Sequence, residues 1–174
     1  PNCVGLLVPH IGLNASFAHT HALPGHLAFI AQSGALTTAM LDWARTVQVG
    51  FSCFISLGNG LDVDFGDLLE LLSEDERTRA ILLYIESIAD AREFIDAGRI
   101  AASRKPIVVV KAGKGAQGAR AAASHTGALA GADDVYDAAF RRAGMLRVDT
   151  TRKLFDAAET LARMKPLHGE RLTI

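Results

Sequence analysis

His125 is the residue whose surroundings leave it freest for chemistry. It stands in Ala121-Ala122-Ala123-Ser124-His125-Thr126-Gly127-Ala128-Leu129-Ala130-Gly131, one large polar side chain among alanines, glycines and small hydroxyls. Such neighbours allow close backbone approach and present the imidazole, which can serve as a base, a metal ligand or a nucleophile toward phosphorus. On these residues alone, a solvated loop histidine is the plainer alternative. Glu86 directly follows the apolar run Ile81-Leu82-Leu83-Tyr84-Ile85. A carboxylate at the end of a buried strand must find a partner or face a cleft, unless it caps the next helix or joins a surface ion pair. Ser33-Gly34-Ala35 lies between an apolar strand and a helix. There a helix N-terminus favours an anion by about 0.3–1 kcal/mol, although a serine in that place also serves as a plain N-cap.

Other candidates fall away on spacing. Gly113-Lys114-Gly115-Ala116-Gln117-Gly118 contains a literal G-x-G-x-x-G. A dinucleotide fingerprint should open the first βαβ unit and have an acid ending the second strand, whereas this one follows a fourth apolar run. No G-x-x-x-x-G-K-[ST] occurs, so the chain carries no P-loop. His10, His19, His21 and His26 fall in the first residues and His168 in the last ones. His19-x-His21 lacks a third ligand at convincing spacing, so no metal site is expected. Cys3 reads equally as a small buried residue or a rim thiol.

The elements that must position these groups alternate regularly from Leu27 onward. Apolar runs at 27–31, 51–57, 80–85, 107–110 and 145–148 are each followed by a helical pattern, over 35–46, 64–73, 89–103, 133–143 and 151–164. Five such pairs predict an α/β, flavodoxin-like three-layer fold with a five-stranded parallel sheet in the order 2-1-3-4-5. Ligands of such sheets sit beyond the carboxyl ends of the strands where the order reverses, between the first and third strands. That rim receives Gln32-Ser33-Gly34, Gly58-Asn59-Gly60, Glu86-Ser87 and the loop from Ala112 to Gly131. Residues 1–26, rich in Pro, Gly and Asn, are expected to form an irregular lead-in, 27–164 the flavodoxin-like domain, and 165–174 a linker into a following domain.

The chain has 174 residues, 49% of them hydrophobic, a net charge of −1 and two cysteines outside any CxxC pair. These values suit one globular domain in a reducing, cytoplasmic setting, with no nucleic-acid or membrane surface expected. Pro1-Asn2-Cys3 and Arg171-Leu172-Thr173-Ile174 read as cut ends, so further domains are expected on both sides. An FMN-binding flavodoxin is disfavoured by the short Ser33 turn and by the absence of aromatics placed to sandwich a flavin.

Taken in order, Pro1-Asn2-Cys3-Val4-Gly5, Ala31-Gln32-Ser33-Gly34-Ala35-Leu36, Ser56-Leu57-Gly58-Asn59, Asp62-Val63-Asp64-Phe65, Leu83-Tyr84-Ile85-Glu86 and Ser124 to Gly131 resemble the second domain of the NDP-forming acyl-CoA synthetases, relatives of the succinyl-CoA synthetase α subunit. The resemblance implies a phosphohistidine relay between acyl-CoA, CoA, a small acid and Mg-ATP/ADP. His125 would carry the phosphoryl group and Glu86 would hold its imidazole. Ser33, Gly34 and Ala35, with Thr126 and Gly127, would bind the phosphate, and Asn2 and Cys3 would lie near the CoA thiol. It also implies an ATP-grasp domain and a CoA-binding domain as partners, in the same chain or another, and leaves homo-oligomerisation open. The chain is similar as well to synthetase-like regions fused to GNAT-type lysine acetyltransferases, some of which lack the histidine and sense acyl-CoA. Retention of His125 favours the relay.

Overall fold

The computed structural model describes residues 3–114 and 133–165. Among the described residues, three elements precede the predicted alternation: β1 (Gly5–Val8), a 3-10 turn (Pro9–Ile11) and β2 (Leu13–Ser16). They lead into β3 (Leu23–Ala31), α1 (Gly34–Val47), β4 (Gly50–Ser56), α2 (Phe65–Glu74), β5 (Ala80–Ile85), α3 (Ala91–Arg104) and β6 (Ile107–Lys111). Beyond residues 115–132 follow α4 (Asp133–Arg142), β7 (Leu146–Arg147) and α5 (Thr151–Arg163). No helix among the described residues is long and apolar enough to cross a membrane.

The sheet runs β2-β1-β4-β3-β5-β6-β7. Its five last strands are parallel and stand in the predicted 2-1-3-4-5 order, β3 taking first place and β7 fifth. Among the described residues the strand count is corrected from five to seven. The lead-in is not irregular: β1 and β2 form an antiparallel hairpin, and β1 joins β4 through Leu6↔Ile55 and Leu7↔Phe54. The hairpin is stable because Leu7 buries itself with Phe29, Phe51 and Phe54, while its other face is left partly open.

Both sheet faces are covered. Phe65, Leu68, Leu69 and Leu72 of α2, Phe94 and Ala97 of α3, and Phe140 of α4 pack on one face against Ile81, Leu83, Ile85 and Val109. Met40, Leu41 and Ala44 of α1 and Leu154 and Ala158 of α5 cover Phe29, Leu82 and Val110 on the other. Each large side chain so buried contributes about 1.5–3 kcal/mol. The helix starts are written locally. Asp64 accepts from the N–H groups of Gly66 and Asp67 while Asp67 accepts from that of Asp64, and Asp90 and Thr150 cap α3 and α5.

At the other end of the sheet the register between β3 and β4 shifts around Pro24 and Leu27, and Gly25 crosses Gly50 backbone to backbone. A Cβ on Gly50 would lie 2.1 Å from the Pro24 carbonyl oxygen, which cannot move without breaking the register. Gly50→Ala is therefore expected to lower stability by about 1–3 kcal/mol, measured as a lower denaturant midpoint with an unchanged m-value.

Candidate functional site

Polar groups gather where the buried strands end. Ala28 to Ala31 of β3 are fully buried, and the next residues are Gln32 and Ser33. Ser33 caps α1: its hydroxyl accepts from the Leu36 N–H at 3.3 Å and its carbonyl from the Thr37 N–H at 3.0 Å. The plain N-cap role is thus realised. The N–H groups of Gly34 and Ala35 belong to the first turn, which has no acceptor within the helix, so the same turn can take an anion. Gly34 has a packing reason too. A Cβ there would lie 2.9 Å from a Val4 methyl.

Glu86 ends β5, the strand next to β3, so the two turns stand side by side at the reversal of strand order. The connection between them was not legible in the sequence. The Gln32 amide oxygen accepts the N–H groups of both Glu86, at 2.6 Å, and Ser87, at 2.9 Å. Gln32 and Ser87 also line a cleft of about 30 Å³ with Asn59 and Gly60, so three of the four segments expected on this rim do meet. Tyr84, one residue before β5 ends, has its phenol pKa raised by burial and by the nearby Glu86 charge.

The fourth segment leaves from β6. Lys111 is almost fully buried, donates to the Ala112 carbonyl oxygen at 2.6 Å and lies 4.5 Å from the centre of the Tyr136 ring. Burial lowers its pKa, opposed by Asp133 and Glu86 and reinforced by Arg147. The two flanks of residues 115–132 are tied to this side. Lys114 pairs with Asp149 at 2.6 Å, and Arg147 pairs with Asp133. Lys114 and Lys153 together hold the Asp149 carboxyl down to about 2. His125, Thr126 and Gly127, like Asn2, lie outside the described residues.

Cys3 reaches the same region from the other side. Its thiol donates to the Ser56 carbonyl oxygen at 2.7 Å, and the Val4 N–H donates to the Ser56 hydroxyl at 2.9 Å. It lines a largely apolar cleft of about 520 Å³ with Leu6, Ile55, Leu57, Leu61 and Val63. Val4, the next residue, touches the Gly34 turn. The remaining described histidines are engaged elsewhere: His19 with Asp42, His21 with Asn14, His10 with the Gly25 carbonyl and His26 with the Arg77 carbonyl.

Residues 24–161 match the family of succinyl-CoA ligase like flavodoxin domains. The α subunit of an ADP-forming acetate–CoA ligase I from Pyrococcus furiosus is 45% identical over 174 residues, 100% of this chain and 38% of that protein. An ADP-forming acetate–CoA ligase I from Archaeoglobus fulgidus is 44% identical over 95% of this chain and 24% of its own length. Among solved structures, a dinucleotide-forming acetyl-coenzyme A synthetase 1 from Ca. Korarchaeum cryptofilum, in complex with phosphate and ADP, superposes with a TM-score of 0.91 at 41% identity, covering 98% of this chain and 37% of that one. The chain therefore spans well under half the length of these relatives.

The two thiols differ in a way that alkylation can read. Cys3 is exposed, whereas burial pushes the Cys53 pKa up to about 12, with Ser52 opposing and Asp75 adding to the shift. At about pH 8, iodoacetamide is expected to modify Cys3 readily and Cys53 only after unfolding, as read by peptide mass spectrometry. The folded Cys53 thiol keeps its proton where the unfolded one has lost it. Its contribution to stability is therefore full below the ordinary thiol range and is lost as pH rises toward about 12.

Proposed function

Because the chain belongs to the family of succinyl-CoA ligase like flavodoxin domains, we propose that it is the phosphohistidine-carrying domain of an NDP-forming acyl-CoA synthetase. The reading rests above all on one observation: the Ser33 helix start and the Glu86 carboxylate end adjacent parallel strands at the reversal of strand order, joined through Gln32. That arrangement sets an anion-binding turn beside a group suited to orient an imidazole. The relatives' names, ADP-forming acetate–CoA ligases, point to the same reaction.

In the acyl-CoA-consuming direction, phosphate displaces CoA from the thioester to give an acyl phosphate. The His125 imidazole nitrogen then attacks phosphorus, the acyl carboxylate leaves, and the phosphoryl group is passed on to a nucleoside diphosphate. A neutral imidazole nitrogen is already nucleophilic, so the protein must orient it and neutralise the phosphoryl charge rather than activate it. Glu86 accepts a hydrogen bond from the other ring nitrogen, fixing the tautomer and stabilising the positive charge that develops on the ring. Ser33, Gly34 and Ala35, with Thr126 and Gly127, hold the phosphoryl oxygens. Cys3 and Asn2 line the approach of the CoA thiol, and the apolar cleft beside Cys3 suits the acyl end of the thioester. CoA and Mg-ATP/ADP are substrates held mostly by a CoA-binding domain and an ATP-grasp domain, in the same chain or a partner subunit. Residues 27–164 are the flavodoxin-like unit of that assembly, which we place in the cytoplasm.

In the full-length enzyme His125→Asn should abolish both phosphoryl uptake and net synthesis. Glu86→Gln should preserve folding while slowing phosphoryl transfer by ~10²-fold or more. The labelled protein should lose phosphate in acid and keep it in alkali, as a phosphoramidate does. Full synthetase activity in a folded His125→Asn enzyme would remove the relay through His125.

A further inference from the structure

The geometry points to Gln32 as the residue that positions Glu86 for phosphoryl transfer, its amide oxygen clamping the backbone from which the carboxylate projects. The inference rests on the phosphohistidine reading and adds the part that holds its carboxylate in place.

The last rung between β3 and β5 is the Gln32 N–H donating to the Tyr84 carbonyl oxygen at 3.2 Å. Beyond it the chains part. The β3 chain enters α1, which packs on one face of the sheet, while the β5 chain leads to α3, which packs on the other. The N–H groups of Glu86 and Ser87 thereby pass beyond the ladder on the β3 side, half-buried and in need of a new acceptor. Both find the same one, the Gln32 side-chain oxygen at 2.6 and 2.9 Å. Two successive N–H groups on one oxygen fix two peptide planes at once. Gln32 is itself held by its ladder bond and by the start of α1 at its next residue. One side chain therefore sets the spacing between the phosphate-binding turn and the carboxylate.

The residue type fits this role. Two convergent N–H groups would welcome a carboxylate as readily as an amide. A carboxylate there would stand beside that of Glu86, and like charges raise each other's pKa. A neutral amide supplies the acceptor without the charge. Asparagine would fall one methylene short.

The experiment uses the full-length enzyme and follows single-turnover phosphorylation of His125 by acyl phosphate. Gln32→Met keeps length and removes the acceptor. It should slow the transfer about 10- to 100-fold, because a displacement near 1 Å costs that much, with the concentration for half-saturation unchanged. The combination Q32M/E86Q should be no slower than E86Q alone, since Gln32 acts through Glu86. Amide exchange over residues 85–88 should accelerate in Q32M. Gln32→Glu, which keeps an acceptor if Q32M fails to fold, should retain slow exchange and move the acidic limb of the pH–rate profile to higher pH. Tyr84 and Lys111 both feel the Glu86 charge, and neither variant alters them. A wild-type rate in Q32M, losses that multiply in the double variant, or an unmoved limb in Q32E overturns the clamp. Absence of phosphate on His125 in the wild-type enzyme overturns the relay itself, and the two failures are thus distinct.

Discussion

A strand that is fully buried and paired on both sides can carry no polar chemistry along its length, and β3 is such a strand. Its last four residues, Ala28 to Ala31, have no exposed surface, with β4 on one side and β5 on the other. Burying an unpaired polar side chain there would cost several kcal/mol, so function is driven to the first residue past the strand. The neighbouring strands bring polar residues to the same end: Asn59 lies three residues past β4, Glu86 follows β5 directly, and Lys111 is the last residue of β6. Because the strands are parallel, these ends share one rim. Because the order reverses between β3 and β5, the chains there diverge and leave space. The candidate site follows from that topology before any particular side chain is considered.

Charge is unevenly spread along the rim. On the α2 and α3 side, Asp64 above all raises the Glu93 pKa, with burial, Asp67, Asp90 and Glu70 adding to it. On the β6 and β7 side, Lys111, Lys114 and Arg147 cluster around Asp133 and Asp149. The α2 and α3 side thus gathers like charges, whereas on the β6 and β7 side cations and carboxylates are paired. Buried beneath that side, the Lys111 ammonium is screened less than a surface lysine would be.

Legibility in the sequence followed the physics of each segment. Ala80–Ile85 and Ile107–Lys111 are continuous apolar runs because both of their faces are covered, and both were evident. Leu13–Ser16 is an edge strand of four residues with only partial burial, and it read as loop. The beginning of β3 was hidden in the same way, since Leu23-Pro24-Gly25-His26 has a loop's composition and pairs through a shifted register. Ser33 and Glu86 could be placed from their positions after apolar runs. The role of Gln32 could not, because a bridge between residues 54 and 55 positions apart depends on which strands become neighbours. Lys111 was obscured for a similar reason: its burial beside Tyr136 requires α4 to fold back over the end of β6.

The lead-in matters for more than strand count. Ser56 holds Cys3 by its carbonyl and Val4 by its hydroxyl, and Leu57 continues the sheet by donating to the Ala31 carbonyl oxygen at 2.8 Å. Val4 in turn lies against Gly34, so the segment bearing the thiol is docked on the first turn of α1. The missing Cβ of Gly34 gives Val4 its seat. A side chain at Gly34 would press on the Val4 methyl, 2.9 Å from where its Cβ would stand. The segment bearing the exposed thiol and the first turn of α1 are therefore held together by this domain's own packing.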